Sequence, residues 1–179
     1  MSPADLIKSK IRTIPDFPKE GIQFRDITTL LLDKEGFAAT IDLLYERYRQ
    51  RKITTVAGIE ARGFIIGAAL AYKLGTGFVP VRKKGKLPGK KLEYTYDLEY
   101  GSDTIEIHED ALKRGENVLL IDDLLATGGT AIAAAKLIEQ AGGNVAEMAF
   151  VVDLPDLGGG KKLTEAGFAH YSICAFEGE

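Results

Sequence analysis

The chain has 179 residues, with hydrophobic residues at 45% and charged residues at 27%. These values fit a single globular domain and exclude a largely disordered or collagen-like chain. Lys plus Arg is 23 against 26 for Asp plus Glu, a net charge of −3, which speaks against a dedicated duplex-DNA binder. A single cysteine, Cys174, rules out an internal disulfide, and with only His108 and His170 a Cys/His zinc site has too few ligands. Cys174 lies in the apolar run Tyr171–Phe176 and reads as a small buried hydrophobe. The N-terminus lacks a signal-peptide pattern and no apolar run approaches a membrane span, so the expectation is a soluble cytoplasmic protein with no membrane or nucleic-acid partner.

Ser2-Pro3-Ala4-Asp5 is a helix start, and the helix should run to about Ile11. Thr13–Gly21, with two prolines and a glycine, reads as a loop or extended segment. Residues 34–51 form an amphipathic helix, with Phe37, Ile41, Leu44, Tyr45 and Tyr48 at helical spacing. A strand at Thr54–Ile59 is followed by a helix from Arg62 to Leu74 that Gly75 closes, then a strand at Gly77–Val81. Further on come an uninterrupted apolar strand at Val118–Ile121, a helix from about Thr130 to Ala141, and strands at Val145–Val152 and Tyr171–Phe176. Apolar strands alternating with helices predict an α/β fold whose parallel sheet is flanked by helices. Gly158–Lys162 reads as a flexible turn.

Arg82–Leu112 interrupts this alternation. It opens as a basic, glycine-punctuated loop and continues as two antiparallel strands around a Gly101-Ser102-Asp103 turn. An insertion of this length in a compact domain is usually functional.

The chemistry concentrates in Val118-Leu119-Leu120-Ile121-Asp122-Asp123-Leu124-Leu125-Ala126-Thr127-Gly128-Gly129-Thr130. Ligands of open α/β sheets bind beyond the carboxyl ends of strands. Glycine-loop amides at a helix N-terminus cradle phosphate, and threonine hydroxyls add donors. Two carboxylates would repel that phosphate, so they should face sugar hydroxyls. The constellation suits a sugar phosphate. Gly75-Thr76-Gly77 fails as a dinucleotide fingerprint because Pro80 takes the last glycine position and a strand follows. No Walker-type phosphate loop is present.

This run resembles the 5-phosphoribosyl 1-pyrophosphate signature of the type I phosphoribosyltransferases, in the form typical of their adenine branch. Four further blocks in the adenine branch's order extend the resemblance over nearly the whole chain: Phe17–Ile27, Glu60–Phe64, Arg82–Gly89 and Leu98–Gly101. The resemblance implies one domain over 1–179, with a small hood mainly within 1–33, a core over about 34–179 and a flexible catalytic hairpin at about 82–103. It implies transfer of the 5-phosphoribosyl group from 5-phosphoribosyl 1-pyrophosphate to N9 of adenine, giving AMP and pyrophosphate.

The implied roles follow residue by residue. Asp122 and Asp123 approach the ribose hydroxyls, and Ala126, Thr127, Gly128, Gly129 and Thr130 bind the 5-phosphate. Glu60, Ala61 and Arg62, with Arg82, Lys83 and Lys86 of the basic loop, serve the pyrophosphate, and a basic side chain there reaches the partner subunit's site. Glu99 is the acid/base near the purine, with Arg62 and Arg82 assisting catalysis, and Tyr100 belongs to the closing loop. Phe24 stacks on adenine, backbone groups of Gln23 and Arg25 read its edge, and Leu125 supplies the opposite wall. Magnesium travels with the substrate pyrophosphate and needs no protein cage, and the assembly is a homodimer. Two alternatives stay open: transfer to another base such as xanthine, and a regulator that senses the sugar pyrophosphate without turning it over.

Overall fold

The computed structural model describes residues 1–98 and 100–178. Helix α1 (Pro3–Ser9) opens with a capping box, in which the Ser2 hydroxyl accepts the Asp5 N–H at 3.1 Å while the Asp5 carboxylate accepts the Ser2 N–H at 3.2 Å. It ends two residues before the predicted stop. The Ser9 hydroxyl turns back onto the Leu6 carbonyl at 2.6 Å, and β-branched residues follow. Strands β1 (Arg12–Pro15) and β2 (Gln23–Asp26) pair as an antiparallel ribbon, with Arg12 opposite Asp26. The Arg12 Nε–Asp26 bond at 2.7 Å closes its open end. The start of the segment expected as loop or extended chain is therefore strand.

Helix α2 (Thr28–Leu32) is short, and α3 (Lys34–Tyr48) is capped by Asp33, which accepts the Gly36 N–H at 2.7 Å. There follow β3 (Thr55–Ile59), α4 (Arg62–Leu74), β4 (Gly77–Lys83), β5 (Lys91–Asp97) and β6 (Ser102–His108). The chain closes with β7 (Asn117–Leu125), α5 (Gly129–Gln140), β8 (Asn144–Asp153), α6 (Gly159–Glu165) and β9 (His170–Ala175).

Seven strands form one sheet in the order β5-β6-β4-β3-β7-β8-β9. The five from β4 to β9 run parallel, whereas β6 pairs antiparallel with both β4 and β5. The expected parallel core is present, and the antiparallel hairpin joins it, extending the sheet from its β4 edge. The hairpin's turn lies just before Ser102 rather than around it, since Asp97 and Ser102 already face each other.

Alternate residues of the central strands serve opposite faces. Ala57, Leu120 and Phe150 pack with α5, α6 and the hairpin, while Val56, Leu119 and Val151 pack with α1 to α4. Strand β7 runs beyond the predicted Ile121. Asp122 lies opposite Phe150 and Leu125 opposite Asp153, so the acidic pair sits inside the strand, supported by the longer β8. Gly158–Lys162 is not a flexible turn, because α6 begins there. Gly158 takes a left-handed φ of 77° at the cap, and a Cβ on buried Gly159 would run into the Ala126 carbonyl. These glycines allow close approach. Cys174 is half-buried rather than buried; its thiol donates to the Val151 carbonyl at 3.4 Å, and burial pushes its pKa up to about 11.

Candidate active site

The carboxyl ends of β3, β4 and β7 open into a cavity of about 240 Å³. One half of the cavity is built by the turn from β7 into α5. Gly128 is the N-cap of α5 with φ 88°, a conformation that costs any other residue steric strain, and it brings no capping side chain. The first-turn amides have no carbonyl partner within the helix and point out of its positive end. Thr127 is exposed and Thr130 lines the cavity. An anion meets unspent donors here.

On the floor, the Asp122 Oδ1 accepts the Asp123 N–H at 2.8 Å. Asp123, 6% exposed, is bonded to Arg62 Nε at 2.5 Å. Burial, and then the neighbouring Asp123 carboxylate, hold the Asp122 carboxyl well above the usual carboxylate range. The close approach that creates this crowding depends on Gly63. A Cβ there would lie 2.9 Å from the Ile121 carbonyl and 3.3 Å from Asp122 Oδ1.

The basic side comes from the end of β4. Arg82 Nε and the Lys83 N–H both donate to Glu60 Oε1, each at 3.1 Å. Burial acts to raise the Glu60 pKa, but the Lys83 amide and the Arg82 guanidinium outweigh it and hold it below the usual range. Glu60 thereby fixes two groups of the basic loop at the mouth.

The cavity brings together Glu60, Arg62, Arg82, Lys83, Asp122, Asp123, Leu125, Ala126, Thr127, Gly128 and Thr130. Gly129 begins α5 beside it, and Ala61 stands at the N-cap of α4. Lys86 meets Arg82 through its carbonyl, at 3.5 Å from Nη1. The hood residues are outside the cavity lining. Phe24 packs edge-to-face on Phe17 at 5.2 Å, and Gln23 pairs with Pro15. Arg25 donates to Thr13 at 2.6 Å and to the Gly178 carbonyl at 3.0 Å, tying the ribbon to the C-terminal segment. Tyr100 is 87% exposed and outside the cavity lining. Glu99 lies outside the described residues.

Two residues escaped the sequence reading. Tyr96 on β5 lines the cavity. Glu106 on β6 is fully buried, accepts the Gly85 N–H at 3.1 Å and lies 3.7 Å from Lys91 Nζ, beneath the basic loop. The signal for Tyr96 was the alternation Leu92, Tyr94, Tyr96, which puts all three on one strand face. For Glu106 it was a lone acid between two isoleucines.

The profile of the Phosphoribosyl transferase domain family matches residues 27–165. A curated adenine phosphoribosyltransferase of Methylobacillus flagellatus is 63% identical over 171 residues, 96% of this chain and 97% of the relative. The crystal structure of adenine phosphoribosyltransferase from Thermoanaerobacter pseudethanolicus superposes with a TM-score of 0.92 at 51% identity, covering 97% of this chain and 99% of that one. The Saccharomyces cerevisiae enzyme, solved with adenine and an imino-altritol bisphosphate, gives a TM-score of 0.89 at 42% identity over 96% and 98% of the two chains. With an acidic strand, a glycine-capped helix start and a basic rim in one cavity, and relatives of that kind over almost its whole length, this chain belongs to the adenine phosphoribosyltransferases of the phosphoribosyltransferase family.

Proposed function

We propose that this chain transfers the 5-phosphoribosyl group from 5-phosphoribosyl 1-pyrophosphate to N9 of adenine, giving AMP and pyrophosphate, a purine-salvage reaction. The observation that carries the reading is the single cavity in which the uncapped α5 N-terminus, the Asp122–Asp123 pair and the Arg62–Arg82–Lys83 rim converge.

The bond to pyrophosphate breaks at the anomeric carbon, leaving positive charge on the ribose and negative charge on the departing group. The 5-phosphate binds the amides from Ala126 to Thr130. Asp122 and Asp123 accept the ribose 2- and 3-hydroxyls, and their charge favours the cationic ribose. Arg62, Arg82, Lys83 and Lys86, with backbone groups of Glu60 and Ala61, neutralise pyrophosphate. Arg62 must trade Asp123 for a phosphate oxygen as substrate enters. Phe24, Gln23 and Arg25 of the hood and Leu125 of the floor enclose adenine, which requires the ribbon to settle over the cavity. Glu99 manages the purine proton and Tyr100 closes the loop.

Magnesium belongs to this reading as the companion of pyrophosphate, whose charge it partly neutralises when bound. Among the described residues no group of three or more His, Cys, Asp or Glu could hold an ion. Asp122 and Asp123 in the cavity are carboxylates that could meet such a cation, directly or through water. A homodimer is supported by an exposed apolar stripe on α4, where Ile65 is 45% and Tyr72 89% exposed; sedimentation at micromolar concentration checks it. No helix among the described residues is long and apolar enough to cross a membrane, and we place the enzyme in the cytoplasm with its small-molecule substrates.

The test is product analysis with 5-phosphoribosyl 1-pyrophosphate, magnesium and each of adenine, hypoxanthine, guanine and xanthine. AMP and pyrophosphate from adenine alone is the expected result. Nucleotide from another base in preference overturns the base assignment. Binding of the sugar pyrophosphate without turnover leaves a sensor.

A further inference from the structure

One hairpin side chain reaches the start of α5. Tyr96 reaches across from β5, its hydroxyl 2.9 Å from Thr130 Oγ1 and 3.5 Å from Asp103 Oδ2. Its ring lies against Gly129, where a Cβ would stand 3.6 Å from the ring Cδ2. Tyr96 is therefore seated on the first turn of α5, within the cavity.

Each hydroxyl of the pair brings one proton and two lone pairs. One proton makes the Tyr96–Thr130 bond and the other is left over. If Thr130 donates, the spare proton belongs to Tyr96 and faces Asp103 at a distance too long for a good bond. If Tyr96 donates, the spare proton belongs to Thr130 and can turn towards the space that the free amides face, where an anion would accept it. A phosphate there selects the second arrangement, because a charged acceptor makes the stronger hydrogen bond.

We propose that Tyr96 is a positioning residue for the 5-phosphate: its hydroxyl donates to Thr130 Oγ1, aims the Thr130 proton at the phosphate, and so ties the seat of the hairpin to occupancy of the cradle. The proposal rests on the phosphoribosyl-transfer reading above and adds to it a residue outside the five sequence blocks. It places a hairpin side chain in control of the phosphate end of the substrate.

Tyr96→Phe tests it, since phenylalanine keeps the ring on Gly129 and removes only the hydroxyl. The expected result is a KM for 5-phosphoribosyl 1-pyrophosphate raised about five- to tenfold, the worth of one hydrogen bond, with the KM for adenine and the melting temperature unchanged. Calorimetric titration with ribose 5-phosphate should show the same loss of affinity without any base present. Thr130→Val should weaken the same titration, and adding Tyr96→Phe to it should cost nothing further, because the tyrosine acts through that hydroxyl. Tyr96→Phe that binds ribose 5-phosphate as tightly as the parent overturns the proposal, as do effects of the two substitutions that simply multiply. The titration also separates this from the underlying reading. Parent protein that binds ribose 5-phosphate yet makes no AMP refutes transfer to adenine, while the Tyr96 comparison is still decided by the titration.

Discussion

Replacing Arg62 by Gln should destabilise the substrate-free protein in a manner that depends on pH. Arg62 Nε holds Asp123 Oδ2 at 2.5 Å, and Asp123 is almost fully buried while the arginine side chain is 45% exposed. Unit charges about 4 Å apart near a protein surface attract by about 4 kcal/mol. Exposure of the arginine and the desolvation of both ions reduce the net loss to about 1–2 kcal/mol. In a domain of this size that is a fall of about 2–8 °C in melting temperature.

The sign of the pH effect follows from Asp122. Its carboxyl is raised by burial and by Asp123, and Arg62 acts against that rise. A raised carboxyl binds its proton more tightly in the folded chain than in the unfolded one. Native stability therefore increases as pH falls through the elevated range, levelling off near the ordinary carboxylate value of about 4. Without Arg62 the carboxyl rises further, so the deficit of Arg62→Gln is largest on the alkaline side of the elevated range and shrinks on acidification. Thermal melts without ligand across that range measure it. A deficit that is absent, constant or larger in acid would refute the electrostatic account of the pair.

Asp122→Asn should raise the melting temperature at neutral pH by about 2–4 °C by removing the crowded charge, and lower AMP formation about 10- to 100-fold; melts and steady-state rates check the two halves. Glu106→Ala should cost roughly 2–4 kcal/mol, because it strands the Gly85 amide and Lys91. Chemical denaturation measures that loss, and hydrogen exchange at Gly85 should speed up. Gly63→Ala should cost about 1–3 kcal/mol through the collision of its Cβ with the Ile121 carbonyl. It should raise the KM for 5-phosphoribosyl 1-pyrophosphate more than that for adenine, as the Arg62 turn is pushed away from Asp122.

The parallel core was legible because strands buried on both faces must be continuously apolar, as in Val118–Ile121. The phosphate turn was legible because glycines at a strand-to-helix turn have a stereochemical purpose. The β1–β2 ribbon was not, since four-residue strands show too little alternation, and what closes the ribbon is the Arg12–Asp26 pair, fourteen residues apart. The antiparallel hairpin was legible from its turn, but its attachment to the β4 edge was hidden, because a strand's own residues do not specify which strand it will lie beside. Helix α6 was missed because glycines needed for contact with Ala126 look the same in sequence as glycines of a mobile turn. The resemblance assigns Phe24 to the base, yet a resemblance carries no information on how far the ribbon stands from the floor, and Phe24 lies outside the cavity lining.

The two faces of the sheet have separate cores, and this divides the protein's tasks. The hood is rooted in the core shared by α1 to α4, whereas the hairpin, including Tyr94 and Tyr96, is rooted in the one shared with α5. Substitutions confined to the hood's own core should therefore act weakly on the start of α5, which packs in the other. If the hood recognises the base as proposed, its share of that recognition can be reshaped within one core, while Leu125 and the first turn of α5 stay with the other.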